Sequence, residues 1–276
     1  VPPPFLRINF LLNLVATPIG NLEDISQRAL SALRESDAIL CEDTRRTSIL
    51  LRRFGISKPL VPYHRFKEAE RLEEILADLE AGKKLALVSD AGTPCISDPG
   101  GRLVSACADR GIPYTAIPGP CSAIQALVLS GFEIERFQFI GFLPKKGEKA
   151  LRSALFYPGC TVAFESPERI AESLRLLGEL APERKVAALR EMTKVFEECR
   201  RGTAPELFVH FTNHPPKGEI ALVIAPGKPP TPPLDLKECV DLLQETHALS
   251  LKEAIKQAAR LLDLPKSFVY KTIHRG

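Results

Sequence analysis

The chain has 276 residues, with 37 Lys and Arg against 34 Asp and Glu, a formal net charge of +3 and 45% hydrophobic residues. That length allows two ordinary domains or one large one, and so small a charge excess does not by itself call for a nucleic-acid partner. No apolar run reaches the roughly eighteen residues of a bilayer span, and no small-residue cleavage site follows the opening VPPPFLRINF, so neither a membrane segment nor a secretory leader is expected. The seven cysteines are scattered and include no C-x-x-C pair, and the five histidines are dispersed. This pattern argues against a disulfide framework and a zinc site, and it fits a reducing cytoplasm.

In chain order, residues 11–16 read as a first strand that leaves through TPIGN. Residues 24–33 follow as a helix, with Ile25, Ala29, Ala32 and Leu33 on one face. A short strand over 38–41 runs into Glu42-Asp43-Thr44-Arg45-Arg46, and 48–54 is expected to be helical. A third strand covers 60–63 and a charged helix 69–79, closed by Gly82. The run LALVSDAGTPCISDPGG (85–101) begins as a buried strand and breaks at Ser89-Asp90-Ala91-Gly92-Thr93-Pro94. In an open α/β sheet, ligands sit where such loops leave the carboxyl ends of strands. Asp90 can accept hydrogen bonds from hydroxyls, Gly92 admits close backbone approach, and Pro94 stiffens the turn. A helix over 103–108, a strand over 114–117 closing in PGPCSA, and a helix from 123 complete a strand–loop–helix alternation. That alternation is the pattern of a parallel α/β sheet.

The alternation restarts after 137–142 and the basic segment Leu143-Pro144-Lys145-Lys146. A helix over 150–155, a strand over 161–164 ending in FESPER, a helix over 170–180 and a strand over 185–189 ending in REMTK are expected. A strand over 220–225 then leads to a Pro-rich linker at 227–233. This organises the chain as an α/β domain over 11–136, a second over 137–228 and a helical module over 234–276. In the module, Ser250 and Glu253 form a capping box. A helix runs from there to about 262, and a second covers 267–273, a helix-turn-helix-like pair. From Lys252 onward there are six Lys and Arg against two acids, which suits either nucleic-acid contact or a solubilising tail.

No GxGxxG, GxxxxGK[ST] or GxSxG occurs, so dinucleotide, P-loop and nucleophile-elbow readings have no support. The strand-end loops TPIGN, CEDTRR, SDAGTP, PGPCSA, FESPER and REMTK offer small residues, backbone donors and a few carboxylates. They suit a ligand with a ribose, an adenine and a charged amino-acid part better than a phosphate. Arg45 and Arg52, and likewise Arg46 and Arg53, are seven apart, so each pair shares a helix face. Two readings stand for that face: a solvated surface or a phosphate-contacting patch.

The blocks LVATPIGNLEDIS, AILCEDTRRTSILL, LALVSDAGTPCISDPG, AIPGPCSAIQAL, FIGFLPKK, FESPERI and REMTKVFEE occur in this order. Together they resemble the ribosomal RNA small subunit methyltransferase I family, of the tetrapyrrole-methylase-like, class III methyltransferases. The resemblance covers about residues 14–226, and the tail resembles the small helix-turn-helix unit that often follows. It implies two α/β domains with S-adenosylmethionine in the cleft between them, and a homodimer in the cytoplasm. It also implies 2′-O-methylation of a cytidine ribose in the decoding region of 16S rRNA of the small ribosomal subunit. By the same resemblance, Pro18, Ile19, Gly20, Asp90, Ala91, Gly92, Thr93, Ser122, Ala123, Phe164, Met192 and Ile220 are the expected cofactor contacts. TPIGN stands in place of the glycine-rich first loop of the tetrapyrrole relatives, and SDAGTP in place of their GDP-type loop.

A ribose 2′-hydroxyl needs in-line alignment and removal of a proton. Glu42 and Asp43 are the expected catalytic carboxylates, with Glu165 and Lys194 also at strand ends. Arg45, Arg46, Arg52 and Arg53 are the expected RNA contacts. The other reading of these carboxylates is helix capping, or pairing with Arg45 and Arg169. Two further functions stand beside the first: a small-molecule, tetrapyrrole-type methyltransferase and a non-enzymatic RNA-binding module.

Overall fold

The structure, a computed structural model, describes residues 10–65, 67–227, 236–262 and 264–274. The linker expected over 227–233 lies, apart from Gly227, outside them. The chain divides into two compact units. One runs to Gln125 and adds Met192–Val195; the other holds Ala126–Glu191 and the residues from Phe196 onward.

In the first unit, β1 (Leu12–Val15), β2 (Ala38–Cys41), β3 (Leu60–Pro62), β4 (Leu85–Val88) and β5 (Tyr114–Ile117) form a five-stranded parallel sheet. Its order is β3-β2-β4-β1-β5. The strands alternate with α1 (Gln27–Glu35), α2 (Thr44–Arg53), α3 (Glu68–Glu80) and α4 (Gly101–Asp109), and α5 (Ser122–Ser130) follows β5. Successive strand residues face opposite sides. Ile39, Cys41, Ala86 and Val88 pack with Leu33 of α1 and Leu50 and Leu51 of α2. Leu40, Leu85 and Leu87 pack with Leu76 and Leu79 of α3 and Leu103 of α4. Each fully buried Leu or Ile contributes about 1.5–3 kcal/mol.

Two helices start elsewhere than the apolar periodicity suggests. A 3-10 turn at Leu22–Asp24 precedes α1, which begins at Gln27 because Ser26 caps it, accepting the Ala29 N–H at 3.1 Å. The helix expected from 48 begins at Thr44, because Asp43 is its N-cap and accepts the Arg45 N–H at 2.8 Å. Residues that read as strand-exit loop are therefore the first turn of a helix.

The second unit has a mixed sheet in the order β6-β7-β10-β8-β9. Its strands are β6 (Phe137–Phe142), β7 (Cys160–Glu165), β8 (Lys185–Arg190), β9 (Glu198–Thr203) and β10 (Ile220–Ile224). Only β6 and β7 run parallel; β10 is antiparallel to β7 and β8, and β9 to β8. Its helices are α6 (Glu148–Phe156), α7 (Ile170–Leu180) and α8 (Ala204–Asn213). They bury Leu151, Leu155, Leu174, Leu177, Leu207 and Phe211 against Val186, Ala188 and Leu222 of the sheet.

The two compact units part within α5, between Gln125 and Ala126. The end of α5 is held by the second unit's edge strand. The Arg201 guanidinium of β9 donates to the carbonyl of Ser130 at 2.6 Å and to that of Leu129, and the Cys199 thiol also reaches the Leu129 carbonyl.

The tail contains α9 (Leu236–His247), α10 (Leu251–Leu261) and α11 (Lys266–Ile273). It belongs to the second unit, because Phe156 of α6 enters its core with Leu243, Ile255, Ala258 and Val269. The expected capping box is formed: the Ser250 hydroxyl accepts the Glu253 N–H, and the Glu253 carboxylate accepts the Ser250 N–H.

Candidate active site at the carboxyl end of the first sheet

The first sheet is parallel, so all its exit loops gather at one end. β2 and β4 are hydrogen-bonded neighbours whose connections diverge. β2 continues through α2 to β3 at the sheet edge, and β4 continues through α4 to β5 past β1. Such a divergence opens a crevice above the strand ends. A concavity of about 530 Å³ lies there, lined by Glu42, Asp43, Thr44, Arg45, Pro62, His64, Arg65 and Asp90.

Asp90 spans the crevice. Its Oδ1 accepts the backbone N–H of Asp43 at 3.0 Å, and its Oδ2 lies 3.5 Å from the Arg46 guanidinium. Asp43 receives Arg45 twice more, Nε on Oδ1 at 3.1 Å and a terminal nitrogen on Oδ2 at 2.7 Å. Those side-chain bonds, with the capping N–H, lower the Asp43 carboxyl to about 2. Asp43 thus has the capping and Arg-pairing role that stood as the other reading of these carboxylates. A carboxylate so well satisfied is a weak base. Glu42, the next residue back, is half-buried on the crevice wall.

Asp98, which the sequence pattern does not single out, lies within electrostatic reach of Glu42 and Asp90. Burial pushes its carboxyl up to about 6, and the neighbouring Glu42 and Asp90 charges add to the shift, against a hydrogen bond from Ser89 and the Arg65 charge. Its only sequence signal is its place in the run after β4. That run holds Gly92, Cys95, Ser97 and Gly100, all with positive φ. Backbone in sparsely populated conformations is characteristic of functional loops. Glu68, at the start of α3, supports the run from below. Its buried carboxylate accepts the Gly100 and Arg102 N–H groups at 3.0 and 3.2 Å and the Tyr63 hydroxyl at 3.3 Å.

Beside the crevice, the exits of β4, β1 and β5 are laced together. Thr17 and Gly92 exchange backbone hydrogen bonds at 2.8 and 3.0 Å. The Thr17 hydroxyl donates to the Ser89 carbonyl at 3.2 Å, and that of Thr93 to the Pro120 carbonyl at 3.1 Å. Gly92 has φ +80°, which the reciprocal bridge requires and which an L side chain rarely adopts. Pro18 and Ile19 are buried, Ala91 and Thr93 half-buried, and Ser122 and Ala123 open α5. Gly20 adjoins another stretch of the same chain. A Cβ there would fall 2.5 Å from Lys194 Cγ and 2.6 Å from Thr193 Oγ1, and Thr193 Oγ1 also accepts the Asn21 N–H at 3.1 Å. The space beside Gly20 is filled by the chain itself, in the segment that contains the buried Met192.

The structure therefore gathers Glu42, Asp43, Arg45, Arg46, Pro18–Gly20, Asp90–Thr93, Ser122 and Ala123 at one sheet end. Arg52 and Arg53 are exposed on the last turn of α2, where Arg52 Nε donates to the Ser48 carbonyl at 3.3 Å. Phe164 and Ile220 belong to the second unit. Phe164 stands edge-on to the rings of Phe139 and Phe142, with centroids 4.9 and 5.3 Å away. The Ile220 side chain is part of that unit's core. Glu165 is buried and structural, tied to Arg169, the Ser173 hydroxyl and the Ser166 N–H. Among the described residues no His, Cys, Asp and Glu group could hold a metal ion, and no helix is long and apolar enough to cross a membrane.

This doubly covered parallel sheet with a laced, carboxylate-rich exit face defines a methylase of the tetrapyrrole (corrin/porphyrin) class, whose family model matches residues 11–207. Among solved structures, a uroporphyrin-III-C-methyltransferase from Thermus thermophilus shares this fold. Its TM-score is 0.56 at 22% identity, over 78% of this chain and 93% of that one. Within the class, the chain belongs to the ribosomal RNA small subunit methyltransferase I family. The Thermotoga maritima member is 47% identical over 216 residues, 78% of this chain and 97% of its own length. The Mesorhizobium japonicum member is 41% identical over 268 residues, 95% of this chain and 90% of its own.

Proposed function

We propose that the chain is an S-adenosylmethionine-dependent methyltransferase of small-subunit ribosomal RNA, acting on the ribose 2′-oxygen of a cytidine in the decoding region. One observation carries the reading. Relatives named for small-subunit rRNA methylation match this chain at 41–47% identity over 90–97% of their own length.

The first unit's residues fit the methyl donor. Gly92, buried with its backbone turned to φ +80°, places no side chain between Ile19 after β1 and Pro120 after β5. Ile19 and Ala123 offer apolar walls, and each Asp90 oxygen keeps a lone pair beyond its present bond. Pro18 and Ile19, Asp90 to Thr93, and Ser122 and Ala123 would hold the donor, with the start of α5 favouring its carboxylate. When bound, it supplies an electrophilic methyl group on a sulfonium.

The chain's own residues then have two tasks: aligning the ribose hydroxyl and accepting its proton. Glu42, on the crevice wall, and Asp98, whose carboxyl is raised by burial and by the nearby Glu42 and Asp90 charges, are the carboxylates placed for the second. Asp43 is held too acidic to act as a base and instead fixes Arg45. The Arg45 and Arg46 pairs are solvent-exposed, so each contributes little to stability and exchanges readily for an RNA phosphate. Arg52 and Arg53 extend the same basic track along α2.

The test combines calorimetric titration of S-adenosylmethionine with labelled methyl transfer to purified small subunits and to a porphyrin precursor. Donor binding with transfer to the subunits alone supports the proposal. Transfer to the porphyrin precursor alone overturns it.

A further inference from the structure

We propose that α11, the last helix of the tail, is a contact for single-stranded RNA, with Phe268 and Tyr270 stacking on unpaired bases and Lys266 and Lys271 meeting phosphates. The inference rests on the ribosomal RNA reading above and deepens it, adding a second contact for the same substrate.

α11 gives little to the core. Val269 is its one fully buried residue, and Ile273 packs at the margin. Phe268 and Tyr270 stand on either side of Val269 and are 52% and 51% exposed. Helical spacing backs each ring with a cation. Lys266, Tyr270 and His274 follow one another at four-residue steps, with the Tyr270 and His274 ring centroids 4.1 Å apart. Lys271 is three residues from Phe268. No Asp or Glu occurs from Lys266 to His274.

On the preceding helix, Lys252, Lys256 and Arg260 form an exposed stripe at the same four-residue spacing. The one acid in α10, Glu253, is engaged in the capping box. Basic stripes call for a polyanion, and exposed rings on the same helical tail call for open base faces, which a duplex does not present. A partner protein docking on apolar surface would need neither stripe.

The full chain is titrated, by fluorescence anisotropy over a salt series, against single-stranded and duplex RNA of about 12 nucleotides, within the usual span of such binding sites. The variants are Phe268→Gln/Tyr270→Gln, Phe268→Leu/Tyr270→Leu and Lys266→Ala/Lys271→Ala. Both aromatic pairs are expected to weaken single-strand binding about tenfold or more with the salt slope unchanged. The lysine pair is expected to flatten the slope by about 0.7 for each phosphate it no longer neutralises. Wild-type affinity in the glutamine pair overturns the inference, and so does retention of affinity by the leucine pair, which keeps apolar surface without rings. Methyl transfer to small subunits by the wild-type chain is measured alongside. Its absence overturns the functional reading, whereas transfer with unaltered RNA binding in every variant overturns only the role of α11.

Discussion

Asp90 Oδ1 accepts the backbone N–H of Asp43 at 3.0 Å, so the residue leaving β4 holds the residue that caps α2. This single bond closes the crevice where the two connections diverge. Asp90→Ala orphans that half-buried N–H and releases Arg46, at an expected cost of about 1–3 kcal/mol in stability. It is also expected to weaken S-adenosylmethionine binding. Asp90→Asn keeps an acceptor in place, so it should keep the stability and lose only what the charge provides. Denaturant unfolding and calorimetry on both variants separate the effects. A wild-type unfolding midpoint in Asp90→Ala would show that the bond holds nothing.

Gly92 pairs with Thr17 through both of its backbone groups while held at φ +80°. Gly92→Ala would bring a Cβ to 3.4 Å from Ile19 Cγ2 and place an L residue where few sit. A loss of about 1–3 kcal/mol is expected from the backbone strain, and more from the branched side chain of Gly92→Val. Donor affinity is expected to fall severely in the valine variant while circular dichroism still reports the fold. Wild-type affinity in calorimetry would remove this loop from the donor site.

The strands of the first sheet are legible in the sequence because each is a short apolar run ended by Gly, Pro or a carboxylate. What stays hidden depends on direction, capping and distance. The antiparallel placement of β10 leaves no mark in a run such as IALVI, because a strand buried on both faces reads alike in either direction. β9 escapes because ECRRGT is a charged edge strand with no apolar alternation. α8 does carry a sequence signal, the Thr203–Glu206 capping box with Pro205 in its first turn. Asp43 can be seen to sit at a strand end, but its bond to Asp90, 47 residues away, cannot. Asp98 becomes a candidate only when folding sets it beside Glu42 in partial burial.

Asp98 ties stability to pH in a defined direction. Folding raises its carboxyl from 3.8 to about 6, so the folded chain binds the proton more tightly than the unfolded one. The stabilisation from the protonated form is full below about pH 4 and is lost as pH rises through about 6. Asp98→Asn is therefore expected to be more stable than the wild type above pH 6, by less than the full shift implies because water screens the partly exposed carboxyl. If Asp98 accepts the ribose proton, the same variant loses methyl transfer, and the wild-type rate climbs through pH 6. Thermal melts across pH 4 to 8 with identical profiles for both proteins would show that the carboxyl is not perturbed.

The arginines of α2 divide into two pairs. Arg45 and Arg46 lean on Asp43 and Asp90, whereas Arg52 and Arg53 stand on the far turn. Arg52→Ala/Arg53→Ala is expected to flatten the salt dependence of small-subunit binding, by about 0.7 for each single-stranded phosphate left without its cation, with donor affinity untouched. Arg45→Ala/Arg46→Ala is expected to flatten the slope and also disturb donor binding, because Arg46 pairs with Asp90. Parallel slopes for both variants and the wild type would leave the face to solvent.

The most direct measurement is the chemistry of the product. Small subunits lacking the modification are incubated with the chain and methyl-labelled S-adenosylmethionine, and the rRNA is digested to nucleosides and resolved by mass spectrometry. Expected is one labelled species, 2′-O-methylcytidine, recovered from a decoding-region fragment and absent with Gly92→Val. Label on a base, on another nucleoside or in no rRNA fragment would contradict the assignment of this site to ribose methylation.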